Sequence, residues 1–186
     1  PIHIDSVAST ILDGVQSWSN RLSFDIDNIQ SEKPTNTIER RNENRSTPWK
    51  PPPPNWFKLN FDGSRFEDAR TTLGYAIRNN DSDISIIGAK ACGIKSILMA
   101  KTIALQEGIK AAKFLGIKRL AIEGDNLCVI NSLKEIWKPP WIISLIIKDI
   151  KRHLLEFEDF SISHIFRETN SVADFMAKHG HNYPTL

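Results

Sequence analysis

Cysteine is scarce in this chain. Only Cys92 and Cys128 occur in 186 residues, too few for the disulfide framework of a small secreted scaffold. Both stand in apolar surroundings, so they read as buried free thiols. That suits a reducing, intracellular compartment and leaves nucleus and cytoplasm equally open. Long apolar runs are missing too: none approaches the ~20 residues of a membrane span, so no membrane partner is expected. No basic stretch followed by an apolar one opens the chain, and no secretory signal is read. The first residue is Pro rather than Met, and the chain reads as a piece of something longer. Charge of one sign is also lacking. Lys+Arg 24 against Asp+Glu 22 leaves a formal net charge of +2, which neither demands nor excludes a nucleic-acid partner.

What is present divides into three stretches. Hydrophobic residues make up 40% of the chain, enough to bury a core. Within residues 1–22, Ile4, Val7, Ile11, Leu12, Val15, Trp18 and Leu22 form a helical stripe that needs a partner surface. Residues 23–55 are polar and end in four prolines. They read as a linker, extended near the prolines, or as a docking motif for an aromatic groove. A compact domain is expected over residues 56–182.

Inside that domain "WFKLNFDGS", "TLGYAIRNND" and "DISIIGAKACGI" read as three strands separated by polar turns, an antiparallel meander. "SILMAKTIALQEGIKAAKFLG", residues 96–116, reads as a helix closed by Gly116. Its stripe is Ile97, Ala104, Gly108, Ala111 and Leu115, with Lys101 as a foreign member. "IKRLAIEGD" is a short strand, "NLCVINSLKEIW" a helix broken by "KPPW", and "WIISLIIKDIKRHLLEF" a further helix. "DFSISHIFR" alternates as a strand, and "SVADFMAKHGH" closes the domain as a short helix. Helical crossovers place the later strands parallel to the first. The expected fold is α/β: a mixed five-stranded sheet, three antiparallel strands then parallel ones, with helices on both faces.

In such sheets, sites form at the carboxyl ends of strands. Asp62 follows the first strand, Asp125 the fourth, and Asp174 lies in the first turn of the last helix. Singly, each suits a local role: a turn, a helix N-cap, a first-turn acid. Jointly, clustered carboxylates raise one another's pKa unless a cation neutralises them, and Mg²⁺ favours carboxylate, water and phosphate oxygens. Two such ions can clamp a phosphodiester for hydrolysis.

The segments "WFKLNFDGS", "LGYAIRNND", "ALQEGIKAAKFLGIKRLAIEGDN" and "HIFRETNSVADFMAKHG" together resemble the ribonuclease H family. They are most similar to its plant reverse-transcriptase-like branch, found in non-LTR retroelements (retrotransposons) and host genes related to them. "WKPPPPNW" resembles that branch's usual lead-in, and the resemblance spans about residues 49–182. It implies the ribonuclease H-like fold and hydrolase activity, with endonuclease cleavage of RNA in RNA–DNA hybrids using Mg²⁺ or Mn²⁺. It further implies Asp62, Asp125 and Asp174 as catalytic acids and metal ligands, and an upstream reverse transcriptase region or protein partner reached through residues 4–22. The family's second acid is a glutamate on the long helix. Here "AKTIALQEG" places Lys101 at that position.

A protonated lysine has three donors and no acceptor, so it cannot ligate Mg²⁺. It is expected to pair with Asp62 and Asp125, to lower metal affinity and to weaken or abolish cleavage. Glu107 lies six residues on and about 120° away around the helix, so it is no obvious substitute. Glu123 and Asp68 are the other acids near enough in the chain to consider. Binding can outlast cleavage, because a hybrid is held by phosphate and 2′-OH contacts. Candidate donors are Ser64, Arg65, Asn126, Arg167 and Asn170, although Arg167 and Asn170 could instead tie the last loop to the sheet. His164 reads as a surface or packed side chain. His179 and His181 form an "HGH" that reads as a frayed end, with His179 also near Asp174 on one helix. Trp56 and Trp137 read as core or rim aromatics. The other reading of the whole is a non-catalytic nucleic-acid-binding or protein-interaction module derived from a retroelement.

Overall fold

Alternation of apolar and polar residues sets the strands, and glycines set how closely helices approach them. The structure is a computed structural model that describes residues 48–180. The helix expected within residues 1–22, the first part of the linker and His181 lie outside the described residues. The chain runs β1 (Phe57–Arg65), β2 (Arg70–Arg78), β3 (Ile84–Ile94), α1 (Ile97–Phe114), β4 (Arg119–Gly124) and α2 (Leu127–Leu133). It continues through α3 (Trp141–Leu154), β5 (Asp159–His164), a 3₁₀ turn (Arg167–Asn170) and α4 (Ser171–His179). The sheet order is β3-β2-β1-β4-β5. The meander β1–β2–β3 pairs antiparallel, while β4 pairs parallel with both β1 and β5, as the crossovers require.

One face of the sheet carries the core. Leu59 and Phe61 of β1, Leu73 and Ile77 of β2, and Leu120 and Ile122 of β4 are buried there. They meet Ala104, Leu105 and Ile109 of α1 and Ile143, Ile147, Ile150 and Leu154 of α3. The α3 stripe follows the sequence pattern. The α1 stripe is rotated from the expected one: Ile97 is 39% and Leu115 42% exposed, while Ala100, Leu105, Ile109 and Ala112 are buried. The small residues decide this. A Cβ on Gly63 would lie 2.8 Å from the Lys101 backbone nitrogen, so α1 rests on β1 over that glycine and turns the face around position 101 inward. Ser96 caps α1 by accepting from the Met99 N–H at 3.1 Å. Gly116 takes φ +68 just after it, the left-handed conformation glycine adopts at low cost.

The opposite face takes α4. A Cβ on Gly74 would lie 2.2 Å from the Ala177 nitrogen, and the Thr72 hydroxyl donates to the Ala177 carbonyl. Helices thus cover both faces. Residues 48–55, the end of the expected linker, belong to the same compact unit as the sheet. Trp49 lies on the polar half of the α4 face. Its indole N–H donates to Asn60 Oδ1 at 3.1 Å, and the Arg78 guanidinium stacks 3.5 Å from the ring centroid. Below it Lys58 pairs with Glu123 at 2.7 Å and donates to the Lys50 carbonyl at 2.7 Å.

Some elements are shorter than their patterns suggest. The helix expected to reach residue 137 stops at Leu133. Glu135 turns to φ 62, and the N–H groups of Ile136 and Trp137 both donate to the Asn131 carbonyl, so the chain curls back instead of continuing. The last strand ends at His164, and residues 167–170 form a 3₁₀ turn instead. Cys92 and Cys128 are free but half-buried, not buried, because both lie at the margin of the core. Among the described residues, no helix is long and apolar enough to cross a membrane.

Candidate functional site

Parallel pairing of β1 with β4 sets Phe61 beside Gly124. The next residues, Asp62 and Asp125, therefore lie side by side where β4 ends. Asp62 is still inside β1, paired with Gly74, and does not follow the strand as expected, because β1 runs on to Arg65 against β2. The Asp62 side chain is 3% exposed and that of Asp125 9%. Alone, two such carboxylates would repel each other. Lys101 comes down between them from α1, where Gly63 allows the helix backbone to touch the strand. Its ammonium lies 2.7 Å from Asp62 Oδ1 and 2.7 Å from Asp125 Oδ1, with its side chain 13% exposed.

The electrostatics follow from this triad. Burial works against the charged form of Lys101, yet hydrogen bonds to Asp125 and Asp62 outweigh it, and its pKa stands above the ordinary lysine value. Burial pushes the Asp62 carboxyl up, opposed by Lys101 and by the Gly63 N–H, which donates to Asp62 Oδ1 at 2.8 Å. On balance burial, with the neighbouring Asp125 charge, leaves the Asp62 carboxyl above the ordinary aspartate value.

Asp174 has its own cations. Arg167 donates to it at 3.2 Å, and Lys178 pairs with it one helical turn on. Burial would raise the Asp174 pKa, but Lys178 and Arg167 hold it below the usual carboxylate value. The Arg167 guanidinium also feels Asp62 and Asp125, so the two groups of charges are neighbours. Three acids and three cations meet at this end of the sheet.

The other expected site residues fall as follows. Ser64 is half-buried and Arg65 exposed at the end of β1, while Arg167 is exposed. Asn126 caps α2, its Oδ1 accepting from the Val129 N–H at 3.0 Å; the cap is Asn126 rather than Asp125. Asn170 is 1% exposed and donates to the Phe61 carbonyl at 3.0 Å, tying the last turn to β1. His164 lies beside the Asp125 carbonyl at 3.2 Å, a contact the strand pattern could not show. His179 stacks on Phe175 with its Nδ1 at the Phe175 carbonyl. Trp56 is half-buried and Trp137 is 48% exposed. The spare acids are engaged elsewhere: Glu107 with Lys110, Glu123 with Lys58, Asp68 with Arg70.

A family model described as reverse transcriptase-like matches residues 60–180. The chain belongs to the reverse transcriptase-like family. No curated protein matches it. Solved structures place the fold. RNase H1 from the halophilic archaeon Halobacterium salinarum aligns with TM-score 0.65 at 24% identity, covering 68% of this chain and 98% of that one. The N-terminal RNase H domain of a Mycobacterium tuberculosis protein aligns with TM-score 0.65 at 18% identity, covering 68% and 94%. LC11-RNase H1, obtained from compost by a metagenomic approach and solved with an RNA/DNA hybrid, aligns with TM-score 0.61 at 15% identity, covering 66% and 94%. The five-stranded mixed sheet of this reverse transcriptase-like domain is the RNase H-like fold.

The divalent metal that the family resemblance implies fits these residues poorly. Metal ions need free carboxylate oxygens, and the Lys101 ammonium takes one from each of Asp62 and Asp125. Asp174 is held by two further cations. Among the described residues, no three His, Cys, Asp or Glu side chains form a group able to hold a metal ion.

Proposed function

We propose that this domain binds RNA–DNA hybrids and cleaves them weakly or not at all. The observation that carries the reading is the Lys101 ammonium, 2.7 Å from both Asp62 and Asp125. Two-metal hydrolysis needs carboxylates that can hold ions on both sides of the scissile phosphate. Here an ammonium takes one oxygen from each of two carboxylates such ions would use, and the second acidic position supplies donors alone. Asp62, Asp125 and Asp174 keep the family's arrangement of acids but serve as counter-ions.

Hybrid binding is supported by the fold, which LC11-RNase H1 shares and uses in a complex with an RNA/DNA hybrid. It is also supported by the donors at this edge. Ser64 and Arg65, which follow Asp62 along β1, and Arg167, which pairs with Asp174, are at least partly exposed and suited to phosphate and 2′-OH oxygens. Asn126 and Asn170 act from behind, the first shaping the turn after β4 and the second fixing the last turn on β1.

The test compares wild type with Lys101→Glu on a labelled hybrid in Mg²⁺ or Mn²⁺. The variant is expected to cleave at least tenfold faster, about 1.4 kcal/mol of transition-state stabilisation. Equal rates would refute the assignment of Lys101 as the impairing residue. Hybrid affinity should fall steeply with salt, and a flat salt titration would refute phosphate recognition at this surface.

A further inference from the structure

We propose that Lys101 is the resident cation of the acid site, so that this domain holds its fold and binds nucleic acid with no divalent ion. The inference rests on the hybrid-binding reading above for its second half only. Its first half stands on geometry. One ammonium bridges two carboxylates at 2.7 Å each, with 3% and 9% of those side chains exposed. An ammonium has three protons, and the two carboxylates use two. The two carboxylates leave the third N–H for an incoming anion, and the side chain as a whole is 13% exposed.

The roles of acid and cation are thereby exchanged relative to a metal-dependent site. The carboxylates orient a cation that belongs to the chain, and that cation faces the phosphate. Arg167 is arranged the same way: Asp174 holds one of its nitrogens at 3.2 Å, while its side chain stays 69% exposed. A phosphodiester oxygen approaching this edge meets donors already positioned by their counter-ions. A divalent ion approaching it has to displace an ammonium that already bridges both carboxylates at 2.7 Å each.

Thermal unfolding and hybrid binding of the same chain test this. In EDTA and in millimolar Mg²⁺ at matched ionic strength, wild type is expected to unfold at the same temperature, within about 1 °C, and to bind a labelled hybrid within twofold. Lys101→Glu, with three acids converging and no ammonium, is expected to gain about 5–10 °C on adding Mg²⁺. A Mg²⁺-dependent rise of that size in wild type would overturn the proposal, as would hybrid binding that needs Mg²⁺. If Lys101→Glu does not fold, the wild-type Mg²⁺ titration and Mn²⁺ binding followed by its paramagnetic signal still decide, since specific Mn²⁺ uptake by wild type overturns the resident-cation assignment. If no hybrid binds under any condition, the hybrid-binding reading fails, and the unfolding data alone decide whether Lys101 replaces the ion.

Discussion

Replacing Trp49 with alanine probes the part of the domain that looks least like one. Three contributions are lost. The half-buried indole covers on the order of 100 Å² of apolar surface, about 2.5 kcal/mol at 25 cal/mol per Å². Stacking on the Arg78 guanidinium at 3.5 Å adds about 1–2 kcal/mol for a partly desolvated pair. The N–H bond to Asn60 adds little, about 0.5–1 kcal/mol, because Asn60 Oδ1 keeps a second donor in Arg78 at 3.0 Å. Ring area under the guanidinium is counted twice in this reckoning, so the net loss is about 3 kcal/mol. With a urea dependence of about 1–3 kcal/mol/M, the unfolding midpoint should fall by about 1–3 M. Trp49→Phe keeps the ring and should cost only about 1 kcal/mol. A double-mutant cycle of Trp49→Ala with Arg78→Ala should return a coupling of about 1–2 kcal/mol. Burial holds the Arg78 guanidinium down to about 10, opposed by the charge of Glu123. A loss below about 1 kcal/mol for Trp49→Ala would refute the reasoning and return residues 48–55 to the status of a passive lead-in.

Three other outcomes follow from single contacts. Gly63→Ala places a Cβ 2.8 Å from the Lys101 nitrogen and 2.9 Å from the Ala100 Cβ, so it should cost about 1–3 kcal/mol in thermal unfolding; an unchanged midpoint would mean that α1 can lift off β1 freely. Asn170→Ala leaves the Phe61 carbonyl without its side-chain donor and should cost about 1–3 kcal/mol, read by urea unfolding, with a change under 0.5 counting against the tie. Asp149 is held below the usual carboxylate value first by Arg152 and then by Gln106. Its contribution is therefore present above the unfolded value, about pH 3.9, and is lost as pH falls through the lower folded one. Asp149→Asn should lower stability by about 0.5 kcal/mol at pH 7, and the gap should close below about pH 4. A gap that persists at pH 2 would assign the effect to packing.

The sheet was legible because its signals are periodic and its connections obey one rule. Polar turns between "WFKLNFDGS", "TLGYAIRNND" and "DISIIGAKACGI" give the meander, and helical crossovers make β4 and β5 parallel. The same rule brings Asp62 and Asp125 to one edge, and helical spacing brings Lys101 to the inner face of α1. What stayed hidden depends on single tertiary contacts. The inner face of α1 is centred by Gly63 and Gly108, so Ile97 and Leu115, apolar and correctly spaced, end up at its margin. The end of α2 depends on Glu135 adopting a left-handed turn, which no propensity favours. Trp49 sits in a proline-rich run that reads as a spacer. Its partners Asn60 and Arg78 are polar residues on alternating strand positions, the pattern of a solvated face. Asn60 is instead 1% exposed.

The pairing of charges bears on what the acids are for. A carboxylate cluster that serves metal ions carries uncompensated negative charge until the ions arrive, and the fold bears that repulsion. In this cluster the chain's own cations offset much of it: Asp62 and Asp125 share Lys101, and Asp174 has Arg167 and Lys178. Three negative charges meet three positive ones within the chain. Removing any single member of the buried triplet leaves the others less compensated, and breaking such a set costs about 3–5 kcal/mol where replacing the whole set costs far less. Asp62, Asp125 and Lys101 are therefore bound to one another energetically, whatever the chemistry. Persistence of the two aspartates is then no argument for a metal-dependent nuclease, because the lysine alone is reason enough to keep them.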